Sequence, residues 1–192
     1  MSTQITDFYA DLAFSKAARQ DSDIETLRAM FPRAAAVVKT DAARDRAGTD
    51  YVVRLRRGAE VLVDAKARRA GCSRYWRAGP EVALERWNVM PGGIFGTPRE
   101  VARTGWALDE GKDSDLILFT FDCTDHPFAY ARSFPLLREA FRRNCGSWFG
   151  EFFHDRQSSV KGGAPYQSEC VFVPLSVLDD AIGVVSAMRR AS

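Results

Sequence analysis

The residues best placed to do chemistry are Asp64 and Lys66, two positions apart at the end of an apolar run, Val61-Leu62-Val63. A first acid, Asp50, stands at the start of the preceding run. Side chains two apart on a strand share a face, so Asp64 and Lys66 would stand side by side. Two carboxylates converging on a sheet edge can hold Mg²⁺ through hard oxygen ligands, with positions left for water and a phosphate oxygen. Such a metal polarises a phosphoryl group and makes a hydroxide accessible near neutral pH. Lys66 would then stabilise the charge that develops on the phosphate, or position the attacking water. Taken alone, Asp-x-Lys recurs by chance, and the plainer alternative is a solvated strand face with Asp50 as an acid close to a turn.

The elements around these residues decide between the two. Thr49 to Leu55 and Glu60 to Arg68 read as strands joined at Arg56-Arg57-Gly58. A two-residue turn at Arg57-Gly58 would pair Asp50 with Ala65 and send the acid to the wrong face. A three-residue loop, Arg56-Arg57-Gly58, pairs Asp50 with Asp64, and its third position asks for the left-handed backbone that Gly58 adopts at little cost. On the opposite face Tyr51, Val53 and Leu55 meet Val61, Val63 and Ala65, an apolar layer ready to receive a helix.

Ile5, Phe8, Tyr9 and Leu12 recur at helical spacing and predict a first helix. Ser22-Asp23-Ile24-Glu25 matches a capping box, and Ile24, Leu27 and Phe31 line one face of a second helix that Pro32 stops. Ala35 to Thr40 predicts a strand and Asp41 to Gly48 a polar loop. Val82 to Trp87 is a further strand, with Glu81, Ala83 and Glu85 alternating on it. The breaker-rich stretch Pro91-Gly92-Gly93 to Gly96-Thr97-Pro98 predicts a loop. Leu116 to Phe121 reads as a buried strand, Phe134 to Asn144 as a helix and residues 145 to 168 as irregular. Cys170 to Val173 is a late strand, and Leu175 to Met188 a terminal helix.

A chain of 192 residues fits one domain, and no linker or repeat marks a second. The net charge of +2 supplies no global field for nucleic acid. Only five of the 27 basic residues are lysines (Lys16, Lys39, Lys66, Lys112 and Lys161); the rest are arginines, which suit bidentate phosphate contacts. The four cysteines are widely spaced and only two histidines occur, so a structural zinc is not expected. The N-terminus lacks the apolar core of a signal peptide and no stretch is long enough to span a membrane, so the expectation is a cytoplasmic protein with reduced thiols and no membrane partner.

The pattern Gly48-Thr49-Asp50 … Val63-Asp64-Ala65-Lys66 resembles the PD-(D/E)xK nuclease superfamily, the fold of restriction enzymes and archaeal junction resolvases. Phe31-Pro32, Asp64-x-Lys66-x-Arg68, Leu84-Glu85, Gly105-Trp106, Ser114-Asp115-Leu116-Ile117 and Tyr166 … Val173-Pro174 are similar to an uncharacterised phage- and plasmid-borne branch of it, over about residues 20 to 178. The resemblance implies one α/β domain over residues 1–192, with a restriction-endonuclease-like mixed central sheet flanked by helices and an α-β-β-β-α-β core. It also implies metal-dependent hydrolysis of DNA phosphodiester bonds with Mg²⁺ or Mn²⁺. Asp50 and Asp64 match the metal-binding acids and Lys66 the catalytic lysine, with Glu85 as an auxiliary ligand and Glu25 as an outer one. The family's proline before the first acid is Thr49 here, and its middle acid is Asp64 rather than the more frequent Glu. A homodimer is expected by analogy with small nucleases that cut both strands.

Arg68, Arg69, Arg74 and Arg77 interleave with Tyr75 and Trp76 just past the site, a pattern suited to phosphate contact and base stacking on DNA or RNA. An arginine-covered surface over buried aromatics explains it equally well. Arg138, Arg142 and Arg143 read as a solvated helix face. A Cys145–His154 thiol hydrolase requires a meeting in space that the local sequence does not show. Gly92-Gly93-Ile94-Phe95-Gly96 lacks the Lys-Ser or Lys-Thr of a P-loop. The competing function from another class is a nucleic-acid-binding or phage–host interaction module that keeps the fold without turnover.

Overall fold

The structure is a computed structural model and describes residues 6–7, 20–68, 73, 76–77, 79–89, 103–121, 127–161 and 164–191. It is a mixed α/β protein whose chain divides into two compact units, one of residues 15–77 and 110–136, the other of residues 1–14, 78–109 and 137–192. No helix among the described residues is long and apolar enough to cross a membrane.

The first of these units holds helix α1 (Gln20–Met30), strand β2 (Ala34–Lys39), the short helix α2 (Ala42–Arg46), and strands β3 (Tyr51–Leu55), β4 (Glu60–Arg68), β7 (Leu116–Phe121) and β8 (Phe128–Ser133). Its sheet runs β2-β3-β4-β7-β8, and it is mixed because β4 and β7 are parallel while the other neighbours are antiparallel. β7 (LILFTF) is buried from Ile117 to Phe121, as befits a strand covered on both faces. Leu27 of α1 packs with Val37, Tyr51, Val53, Val63 and Leu118, and Ile24, Phe31, Leu55, Val61 and Ala65 join that layer. The apolar face predicted for the hairpin therefore receives the predicted helix. Removing those side chains from water is the main force that holds the helix on the sheet.

Two details of that region differ from expectation. α1 already includes Gln20, so Ser22 is no N-cap; Asp23 is instead buried and accepts a hydrogen bond from the Tyr51 hydroxyl at 3.1 Å. The stretch 41–48 is a capped turn of helix rather than a plain loop. Asp41 Oδ1 takes the N–H groups of Ala43 and Arg44, at 3.0 and 2.9 Å. Gly48, at φ +93°, closes the other end: its N–H goes to the Asp45 carbonyl and that of Thr49 to the Arg44 carbonyl. This is a Schellman ending, which needs a residue free to turn left-handed.

The other unit holds β1 (Thr6–Asp7), β5 (Glu81–Val89), β6 (Arg103–Thr104), most of helix α3 (Phe134–Glu151), β9 (His154–Lys161), β10 (Ala164–Pro174) and helix α4 (Leu175–Ala191). Its sheet runs β1-β9-β10-β5-β6 and is antiparallel apart from the short β1–β9 pair. Thr6 and Asp7 are thus strand where a helix was expected, and Ile5, Phe8, Tyr9 and Leu12 lie outside the described residues. The described residues between 145 and 168 are mostly regular: α3 continues to Glu151, and strands β9 and β10 follow. Hairpin pairing, rather than any local apolar period, orders that polar stretch.

Candidate functional site

Strand register brings Asp50 and Asp64 together. Tyr51 pairs with Val63, Val52 with Leu62 and Val53 with Val61; the regular ladder ends there, where the Asp50 N–H donates to the Val63 carbonyl and the Asp50 carboxylate lies beside Asp64. The turn that fixes this register is the three-residue loop: Leu55 N–H donates to the Ala59 carbonyl, and Gly58 sits at φ +83°.

At Asp50 the ladder ends in a particular way. The Leu55–Ala59 bond makes the odd-numbered positions the hydrogen-bonded pairs, and the next after Tyr51–Val63 would be Thr49–Ala65. Instead the Ala65 N–H donates to Asp50 Oδ2 at 2.8 Å, and the Thr49 carbonyl accepts the Thr40 hydroxyl at 2.5 Å. The Asp50 carboxylate has taken over a ladder bond, and this locks its orientation beside Asp64.

Three ammonium groups face this acid pair. Lys39 Nζ lies 3.2 Å from Asp50 Oδ1 and 4.6 Å from the centre of the Tyr51 ring. Lys66 Nζ is 2.7 Å from Asp64 Oδ1, and Lys112 Nζ is 3.3 Å from Asp64 Oδ2. Lys112 comes from the segment that leads into β7. That segment is fixed by Ser114 Oγ donating to the Gly48 carbonyl at 2.6 Å and by Asp115, which exchanges bonds with the backbone of Leu62.

Electrostatically the two acids are unequal. Burial pushes the Asp50 carboxyl up, but the Lys66 ammonium, the Ala65 N–H, a side-chain hydrogen bond with Asp64 and the Lys39 charge outweigh it. Its pKa is held below the ordinary value. Burial also pushes Asp64 up, and there it wins: Lys66 and Lys112 offset it only in part, and the Asp50 charge adds to the rise. Of the two, Asp64 therefore takes up a proton the more readily and Asp50 the less.

The other candidate residues fall elsewhere. Arg68 lies on the Asp64–Lys66 face of β4, two residues beyond Lys66. Arg77 is exposed, and Arg69 and Arg74 lie outside the described residues. Trp76 is half-buried, edge-on to Phe121 at 5.9 Å and to Phe128 at 6.3 Å, which is packing rather than a stacking platform for bases. Glu85 is on β5, in the other sheet, where its Oε2 accepts the Trp106 N–H at 3.1 Å. Glu25 is exposed on α1, which packs on the face of the sheet opposite Asp64, so it is not an outer ligand. Arg142 and Arg143 are exposed and pair with Glu139, as expected, whereas Arg138 on the same helix is half-buried. Burial pushes the Cys145 thiol up, against a thiolate nucleophile.

Lys39 and Lys112 are the residues that motif reading missed. Three of the chain's five lysines face these two aspartates, a gathering that only the fold produces. No group of three metal-ligating side chains occurs among the described residues, so the acid pair stands as a two-carboxylate site. No protein-family model, curated protein or solved structure matches the chain.

Proposed function

We propose that the Asp50–Asp64 pair holds Mg²⁺ or Mn²⁺ and that the chain hydrolyses phosphodiester bonds of DNA on a restriction-endonuclease-like core. The observation that carries the reading is the convergence of two hydrogen-bonded carboxylates and Lys66 on one end of a sheet, with Asp50 fixed by its bond from Ala65. The order α1-β2-β3-β4, with the short α2 between β2 and β3, and β7 parallel to β4 supports the fold assignment, although the residues described between β4 and β7 form strands β5 and β6 where the expected core has a helix. The donor set fits a hard cation, because Mg²⁺ is commonly held by one or two carboxylates with water and substrate phosphate completing its shell.

A bound cation would supply Lewis acidity toward the phosphate and an activated water. The chain supplies the rest. Asp50, whose pKa is held low, and Asp64, whose pKa is raised by burial, present the oxygen ligands. Lys66 leaves Asp64 Oδ1 for the phosphate oxygen on which charge develops, and its three donors suit that task. Arg68, one pleat further along the strand, takes a flanking phosphate.

A second reading has an observation of its own: both Asp64 oxygens already carry an ammonium, as in a structural ion cluster. It makes the chain a nucleic-acid-binding or phage–host interaction module without turnover. The test is to incubate the protein with double-stranded, single-stranded and nicked DNA and with RNA, in Mg²⁺, Mn²⁺ or EDTA, beside Asp50→Ala. Cleavage that needs the metal and Asp50 supports the nuclease. Binding without cleavage of any substrate supports the module.

A further inference from the structure

Lys112 has a built seat. Gly48 lies under its stem so closely that a Cβ there would stand 2.7 Å from Lys112 Cγ and 2.9 Å from Cδ. The backbone beneath it is tied down by Ser114 and Asp115, and only 16% of the side chain is exposed. An ordinary surface lysine keeps its ammonium in water and gains little from an ion pair. This one is threaded across a bare glycine to reach an acid whose side chain is only 2% exposed.

The two cations on Asp64 are not equivalent. Lys66 is at 2.7 Å and Lys112 at 3.3 Å, so the Lys112 contact is the weaker and yields first. The choice of lysine matters as well. In a chain where most basic residues are arginines, a guanidinium at this point would clamp both carboxylate oxygens, whereas an ammonium is a point charge on a flexible stem. The fixed backbone and the four-carbon stem let the ammonium swing while the residue stays in place.

We infer that Lys112 is a second phosphate-directed lysine: it neutralises Asp64 while the acid pair carries no cation, and turns its ammonium to the substrate phosphate once the pair is engaged. This rests on the metal-dependent reading above and adds to it a residue that both competes with the cation and assists the reaction. The two roles predict effects of opposite sign, which a residue that merely holds the fold together cannot produce.

The test combines calorimetric titration with Mn²⁺ and single-turnover cleavage for wild type, Lys112→Met and Lys112→Arg, with far-UV circular dichroism on each. Lys112→Met keeps the stem over Gly48 and removes the charge. It should bind Mn²⁺ about three- to tenfold more tightly, having lost a competitor, and cleave about a hundredfold more slowly. Lys112→Arg, a stronger clamp, should bind Mn²⁺ more weakly than wild type. Unchanged or weaker Mn²⁺ binding by Lys112→Met, or cleavage by it at the wild-type rate, overturns the inference alone. Wild-type protein that binds no Mn²⁺ and cuts nothing overturns the metal-dependent reading, and the inference with it.

Discussion

Gly48→Ala and Gly58→Ala are the same substitution at two left-handed positions, φ +93° and +83°, and the structure predicts different costs. At Gly58 an added Cβ meets nothing within 4 Å, so the penalty is backbone strain alone, about 1–2 kcal/mol. At Gly48 the same strain applies, and the Cβ also falls 2.7 Å from Lys112 Cγ. Cγ lies near the base of that side chain, so the tip cannot simply move aside; the whole stem must leave. The added cost is bounded by the partly buried ion pair that the stem gives up, about 1–2 kcal/mol. Gly48→Ala should therefore cost about 2–4 kcal/mol in all, read as a drop in the urea-unfolding free energy at pH 7. In a Lys112→Ala background its cost should fall to that of Gly58→Ala. A Gly48→Ala penalty no larger than that of Gly58→Ala, or an excess that survives removal of Lys112, would refute the proposed seat.

Asp64→Asn should stabilise the protein in EDTA at neutral pH while abolishing any activity. The folded pKa of Asp64 is raised, so its protonated carboxyl adds stability at low pH that is lost as pH rises through the folded value. The advantage of the Asp64→Asn variant over wild type should therefore grow with pH; a difference in urea midpoint that shrinks from pH 4 to pH 7 contradicts the assignment. Tyr51→Phe removes the donor to buried Asp23 and should cost about 1–3 kcal/mol by urea unfolding; no loss would mean that the bond is idle. Gly105→Ala drives a Cβ into the Glu85 carbonyl, a backbone group that cannot step aside, and should cost about 3 kcal/mol or prevent soluble folding. A Gly105→Ala protein with the wild-type urea midpoint would contradict that close approach.

The strands of the first sheet were legible because each carries its own evidence. The β4 bounds, Glu60 to Arg68, follow from an apolar run, and β7 from near-continuous hydrophobicity. The β3–β4 register, which ends beside the two acids, was legible for a sharper reason, since Gly58 marks the three-residue loop that sets it. The short helix α2 was read as a loop: Asp41 caps it and Gly48 stops it, but five residues without an apolar period hide it. The β9–β10 hairpin and the placement of β5 in a second sheet were not legible, because non-local pairing decides both. Nor could spacing find Lys112: it lies 48 residues from Asp64 and meets it only through the fold.

The most direct test of the account is single-turnover cleavage of DNA in Mn²⁺ by wild type, Asp64→Ala and Lys66→Ala, with each variant's fold checked by circular dichroism. The account predicts metal-dependent cleavage by the wild type, none detectable for Asp64→Ala, and a loss of about a hundredfold or more for Lys66→Ala. Cleavage that persists in both folded variants, or that proceeds equally in EDTA, would contradict it.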